Sequence, residues 1–166
     1  MVFGTKLEGK IRMISKRAAG FIKLLPKPIV KGLARVILDG YISEYANLSV
    51  NGMENLNGVK DPVIFVSNHL SNADGVVLHQ VLKRNDVTYI AGVKLAGNPV
   101  TSLGLEYVKI IPINPNSADK SAIKTTVDIL KAGKSICIFP EGTRSRRGSL
   151  IQAKKGVLLI AKLSGT

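Results

Sequence analysis

Residues 62–82 read Pro62-Val63-Ile64-Phe65-Val66-Ser67-Asn68-His69-Leu70-Ser71-Asn72-Ala73-Asp74-Gly75-Val76-Val77-Leu78-His79-Gln80-Val81-Leu82. Val63 to Ser67 is short, apolar and rich in β-branched residues, which predicts a buried strand. The small polar cluster Asn68 to Gly75 predicts a loop at that strand's C-terminal end. Val76, Val77, Val81 and Leu82 then share one face of a helix closing near Lys83-Arg84-Asn85. The same alternation recurs downstream. Val87 to Ala91, Val108 to Ile113 and Ser135 to Phe139 read as strands, and Ala118, Ala122, Ile123, Val127 and Leu130 as a helix capped by Ser117 and stopped by Gly133. Alternating strands and helices predict an α/β sandwich. Open α/β sheets bind ligands beyond the carboxyl ends of their strands, so the loop 68–75 is the first place to look for chemistry.

The composition bounds the rest. A chain of 166 residues, 45% hydrophobic and 21% charged, can bury one core, and the profile excludes a disordered class. No linker or internal repeat divides it. The single cysteine, Cys137, lies inside a predicted strand, so no intrachain disulfide and no cysteine zinc site can form. A reducing compartment is expected. No uncharged stretch is long enough to span a bilayer. Lys6, Lys10, Arg12, Lys16, Arg17 and Lys23 break every candidate signal-peptide segment, which predicts a protein kept on the cytoplasmic side.

The net charge is +13, and residues 1–40 carry +7 of it. Ile11, Ile14, Ala18, Phe21, Ile22 and Leu25 step by three and four residues among those cations, predicting an amphipathic basic helix that Pro26 and Pro28 end. A second helix, Ile29 to Leu38, is expected before a turn at Asp39-Gly40. Three uses are open for this end: packing on the body of the domain, adsorption to an anionic membrane surface, or binding nucleic acid. Aromatic residues are only 5% of the chain and no recognition motif follows, so nucleic acid is the weakest of the three.

Of the two histidines, His69 is the candidate general base and His79, inside the helix, a packed or surface residue. Asp74 follows His69 by five residues and can fold back across a turn to accept from one imidazole nitrogen, leaving the other free to take a proton. A purely structural cap is the alternative on spacing alone. No Gly-x-Ser-x-Gly elbow exists and the cysteine is mid-strand, so the substrate must bring its own nucleophile, a hydroxyl. The second constellation is Phe139-Pro140-Glu141-Gly142-Thr143-Arg144-Ser145-Arg146-Arg147-Gly148. A strand breaking into a Gly/Thr turn beside three guanidiniums suits a phosphate, with a solvated basic loop as the plain alternative. Gly133-Lys134-Ser135 is not a P-loop, since Asp128 stands where the earlier glycine is needed.

Together, Asn68 to Asp74 followed by Phe139 to Ser145 resembles the 1-acylglycerol-3-phosphate acyltransferases, glycerolipid enzymes with a His-x4-Asp motif, over residues 48–166. The resemblance implies that His69 and Asp74 are catalytic and that Glu141, Gly142, Thr143 and Arg144 line the acceptor site, with Lys94 near the phosphate. It implies acyl transfer from acyl-CoA or acyl-carrier protein, as substrates rather than cofactors, to a lysophospholipid hydroxyl, giving phosphatidate. No metal and no nucleic acid are expected. Glycerol 3-phosphate or another lysolipid is the alternative acceptor, and a non-catalytic membrane-binding remnant the alternative of another class. Residues 1–40 would then be a membrane-associating helical segment on the cytoplasmic face and 41–166 the acyltransferase domain, C-terminally incomplete. Where the family's middle motif usually ends in arginine, Asn114 runs into Pro115, leaving Lys109 or Lys120 to supply that charge.

Overall fold

The computed structural model describes residues 21–22, 24–82, 86–92, 104–114 and 119–166. The expectations for the first twenty residues, Lys94, Pro115 and Ser117 lie outside them. In chain order the elements are α1 (Lys27–Tyr45), a 3-10 turn (Met53–Leu56), β1 (Ile64–Val66), α2 (Asp74–Leu82), β2 (Thr88–Gly92), β3 (Lys109–Ile113), α3 (Lys120–Lys131), β4 (Ile136–Ile138) and α4 (Gly156–Ser164). Each of the four expected strands is present.

All strand pairs are parallel, and the sheet order is β1-β4-β2-β3. The last strand in sequence is therefore inserted between the first two, and its register with β1 aligns Val66 with Ile138. Alternate residues of each strand face opposite layers. On one side Phe65, Tyr89, Ile110 and Cys137 pack with Ala34 and Leu38 of α1 and Val76 and Leu78 of α2. On the other, Ile64, Ile90, Ile136 and Ile138 pack with Ile123 and Leu130 of α3 and Ile160 of α4. This is a helix–sheet–helix sandwich, in agreement with the α/β expectation.

Two local expectations are corrected. The turn at Asp39-Gly40 is absent, because α1 runs through it to Tyr45. Val30, Ala34, Leu38, Ile42 and Ala46 form one i, i+4 stripe that is buried or partly buried, so ending the helix at residue 39 would strip Ile42 from the core. Burying that side chain contributes about 1.5–3 kcal/mol, more than the roughly 1 kcal/mol that Gly40 costs in a helix interior. Asp39 is also engaged, accepting from the Tyr107 hydroxyl and lying 3.7 Å from Arg35 Nε. At α3 the cap is Asp119, whose carboxylate accepts from the Ala122 N–H at 2.9 Å and the Asn114 N–H at 3.1 Å. Those backbone bonds hold its carboxyl below the ordinary carboxylate range. The expected stop is present: Gly133, in the left-handed region at φ 75°, follows the end of α3.

Candidate active site

Two loops leave neighbouring strands at the carboxyl edge of the sheet: one after β1, carrying His69, and one after β4, carrying Arg144. His69 and Arg144 are 75 residues apart in sequence, yet their loops are joined directly, since the Ser67 N–H donates to the Ile138 carbonyl at 3.2 Å and the Ser145 N–H to the His69 carbonyl at 2.8 Å. The insertion of β4 beside β1 is what brings the two sequence motifs together.

Within the first loop, Ser71-Asn72-Ala73-Asp74 folds as a capping box. The Ser71 hydroxyl accepts from the Ala73 N–H at 3.2 Å, and Asp74 Oδ2 reaches back to accept the Ser71 N–H at 2.9 Å. The same oxygen accepts from the Leu70 N–H at 2.7 Å and lies 2.8 Å from His69 Nδ1. A carboxylate is an acceptor, so the network assigns the proton to Nδ1 and leaves the Nε2 lone pair available. One carboxylate oxygen thus both ties the turn that leads into α2 and orients the imidazole. His69 and Asp74 side chains are 21% and 20% exposed, open enough to meet a ligand and sheltered enough to hold their geometry. The Phe139 ring stacks on the imidazole with centroids 4.4 Å apart and planes 22° from parallel.

The second loop breaks from β4 through Pro140. Thr143, Arg144, Ser145, Arg146, Arg147, Ser149 and Ile151 line an open cleft of about 370 Å³. Thr143 and Arg144, two of the four residues expected at the acceptor site, are on the wall of this cleft. Glu141 and Gly142 form the turn beside it. Glu141 is 4% exposed, and its Oε2 has no hydrogen-bond partner among the described residues. Gly142 adopts φ 66°, and a Cβ there would lie 2.9 Å from Lys154 Nζ. The Lys154 N–H donates to the Pro140 carbonyl at 2.8 Å, so Lys154 is folded onto the turn. Its sequence neighbourhood, Gln152-Ala153-Lys154-Lys155, carries no signal for this placement beyond its charge.

Two groups near the site are poorly placed to act as nucleophiles. Burial pushes the Cys137 thiol up to about 12. Ser71 is 2% exposed. His79, as expected, is a packed residue. It is half-buried, edge-on to Tyr107 and Tyr89 at 4.9 and 6.0 Å, and burial lowers its pKa, reinforced by Arg35. What remains is a base oriented by a carboxylate beside a guanidinium-rich cleft. The pair can take a proton from a hydroxyl whose anionic neighbour is held by the arginines.

A family model described as Acyltransferase matches residues 47–166. The chloroplastic 1-acyl-sn-glycerol-3-phosphate acyltransferase of Arabidopsis thaliana is 30% identical over 127 residues, 75% of this chain and 35% of that protein. The 1-acyl-sn-glycerol-3-phosphate acyltransferase of Borreliella burgdorferi is 31% identical over 119 residues, 70% of this chain and 47% of its own length. Against these relatives the chain spans less than half of a full-length protein. The crystal structure of the 1-acyl-sn-glycerophosphate acyltransferase PlsC from Thermotoga maritima superposes with a TM-score of 0.64 at 23% identity, covering 94% of this chain and 68% of that one. At that identity the likeness is one of fold.

Proposed function

The chain belongs to the acyltransferase family, and from that premise we propose that it moves a fatty acyl group from an acyl thioester, acyl-CoA or acyl-carrier protein, to the free hydroxyl of 1-acylglycerol 3-phosphate, giving phosphatidate for phospholipid synthesis. The observation that carries this reading is the His69–Asp74 pair at 2.8 Å, hydrogen-bonded through the His69 carbonyl to the loop that carries Arg144. Relatives named 1-acyl-sn-glycerol-3-phosphate acyltransferases support the choice of acceptor.

The steps follow from the groups present. His69 Nε2 removes the proton of the acceptor hydroxyl as its oxygen attacks the thioester carbonyl. Asp74 stabilises the imidazolium through Nδ1–H. The tetrahedral intermediate collapses, the C–S bond breaks, and the imidazolium returns its proton to the departing thiolate. The new ester forms without an acyl-enzyme. General-base assistance of this kind contributes about 10²–10⁴-fold, and positioning of the hydroxyl by a phosphate clamp adds to it. Arg144, with Arg146 and Arg147, is the clamp in this reading, since guanidinium binds phosphate bidentately.

The same reading seats the protein peripherally on an anionic membrane, at the cytoplasmic face, where its acceptor resides. Among the described residues no helix is long and apolar enough to cross a membrane. Phe21, Leu24, Leu25, Ile29, Leu33 and Val36 are exposed on or before α1, alongside Lys27, Lys31 and Arg35. Apolar side chains beside cations favour an anionic interface.

The test is thiol release from acyl-CoA and from acyl-carrier protein, with and without lysophosphatidate, on the chain and its His69→Ala variant. Release that depends on lysophosphatidate and vanishes in the variant is expected. Release that prefers glycerol 3-phosphate would move the assignment to that acceptor, and unchanged release in the variant would remove His69 as base.

A further inference from the structure

We propose that Phe139 is the positioning residue of the His69 base, fixing the plane of the imidazole and so the direction in which Nε2 accepts a proton; this rests on the acyltransferase reading. One hydrogen bond from Nδ1 to Asp74 sets a direction but leaves the ring able to pivot about the Nδ1···Oδ2 line, because the second side-chain torsion of histidine is broad. A flat partner over the ring face removes that pivot. Phe139 supplies it, with centroids 4.4 Å apart and planes 22° from parallel, too close for water to enter between the faces.

The backbone places this ring without recourse to the loop's own conformation. Phe139 is the residue after β4, Ile138 is in register with Val66, and the Ser67 N–H donates to the Ile138 carbonyl. The sheet thus extends one residue of β4 beneath the loop that follows β1. Beyond Phe139 the same segment continues to Ser145, whose N–H holds the His69 carbonyl at 2.8 Å. His69 is consequently held at three points: Asp74 on Nδ1, Phe139 on its face and Ser145 on its backbone. Two of the three come from the segment that carries Arg144, so acceptor clamp and base orientation share one piece of chain. A base misaligned by about an ångström costs on the order of 10²-fold in rate, and leucine keeps the apolar volume of Phe139 while losing the flat face.

The experiment compares the parent chain with Phe139→Leu, Phe139→Tyr and His69→Ala by acceptor-dependent thiol release, alongside proton NMR of the imidazole C–H signals. With two histidines in the chain, the His69 signals are those missing in His69→Ala. The expected result is a kcat for Phe139→Leu lower by roughly 10- to 100-fold, an acceptor KM changed by less than about threefold, and recovery of most of the kcat in Phe139→Tyr. The His69 ring protons should lie upfield under the Phe139 ring current, keep that shift in the tyrosine variant and lose it in the leucine variant. A leucine variant with kcat within about twofold of the parent, a tyrosine variant no better than leucine, or His69 protons without the upfield shift would each overturn the proposal. Full acceptor-dependent turnover in His69→Ala would instead remove His69 as the base, and thiol release from the parent chain that does not depend on the acceptor would overturn the acyltransferase reading on which the proposal rests.

Discussion

The loop after β1 and the loop after β4 leave adjacent strands at the same edge of the sheet, yet they are built differently. In the first, one carboxylate oxygen gathers three donors within five residues, and Ser71 is almost fully buried beneath it. In the second, Gly142, Thr143, Arg144, Arg146 and Arg147 are exposed, and the described backbone bonds are single ones: Gly142 N–H to the Phe139 carbonyl, Ser145 N–H to the His69 carbonyl and Lys154 N–H to the Pro140 carbonyl. Proton transfer requires donor and acceptor within a fraction of an ångström of the productive geometry, so a base is worth rigid support. Attraction between guanidinium and phosphate falls slowly with distance and tolerates motion, so a clamp needs charge density and access. Rigid and open construction side by side is what the proposed base and the proposed anion clamp call for.

The comparison breaks first at His69. His69→Ala should lower turnover by about 10²–10⁴-fold while lysophosphatidate still binds, measured by thiol release and by equilibrium binding. Asp74→Ala should come close to it in kcat, because it removes the acceptor that orients Nδ1–H, and it should also lower Tm by leaving the Leu70 and Ser71 N–H groups without their acceptor. Arg144→Ala, in the open loop, should raise the acceptor KM by roughly 10-fold with kcat little changed. Raised salt should raise the parent's KM in the same direction. An Arg144 effect confined to kcat would mean that the two loops do not divide the work as described.

Smaller effects sharpen the contrast. Gly142→Ala forces a side chain into the left-handed region against Lys154, at a cost of about 1–2 kcal/mol, visible as a lower Tm with His69 signals unmoved. His79 supplies the pH control. Burial lowers its pKa in the folded chain, so the native state binds fewer protons than the unfolded one and stability rises with pH. The contribution is full above the ordinary histidine value near 6.5 and is lost as the pH falls below it. Tm should therefore drop between pH 7.5 and pH 5.5, and His79→Gln should flatten that drop while leaving the Asp74 network untouched.

Much of this was legible in residue order. The β-branched run at Val63 to Ser67 and the apolar run at Ser135 to Phe139 marked β1 and β4 to within a residue or two. The second of these strands, β4, is buried as such runs imply, whereas β1, expected to be buried, ends the sheet order with no fully buried residue and with Val66 exposed, because it has a strand neighbour on one side only. The turn expected at Asp39-Gly40 failed because local propensity was weighed without the i, i+4 stripe that continues through Ile42 to Ala46. That signal was in the sequence. So was the Ser71-x-x-Asp74 capping pattern, which explains how the carboxylate turns back toward His69. Lys154 was different: nothing near it indicates that it folds onto Gly142, since that contact depends on the return path of the chain after the loop.

Residue order settles local features: which segments are strands, that a histidine and an aspartate stand five residues apart in a polar loop, and that arginines follow a strand break. These are set by periodicity, backbone propensity and hydrogen bonds within a few residues. Only the tertiary structure decided that β4 lies between β1 and β2, and with it that Phe139 covers His69 and that Ser145 holds its carbonyl. Strand order depends on which apolar faces α1 and α2 on one side, and α3 and α4 on the other, can bury together. That is a property of the whole packed sheet, and no single stretch of the chain carries it.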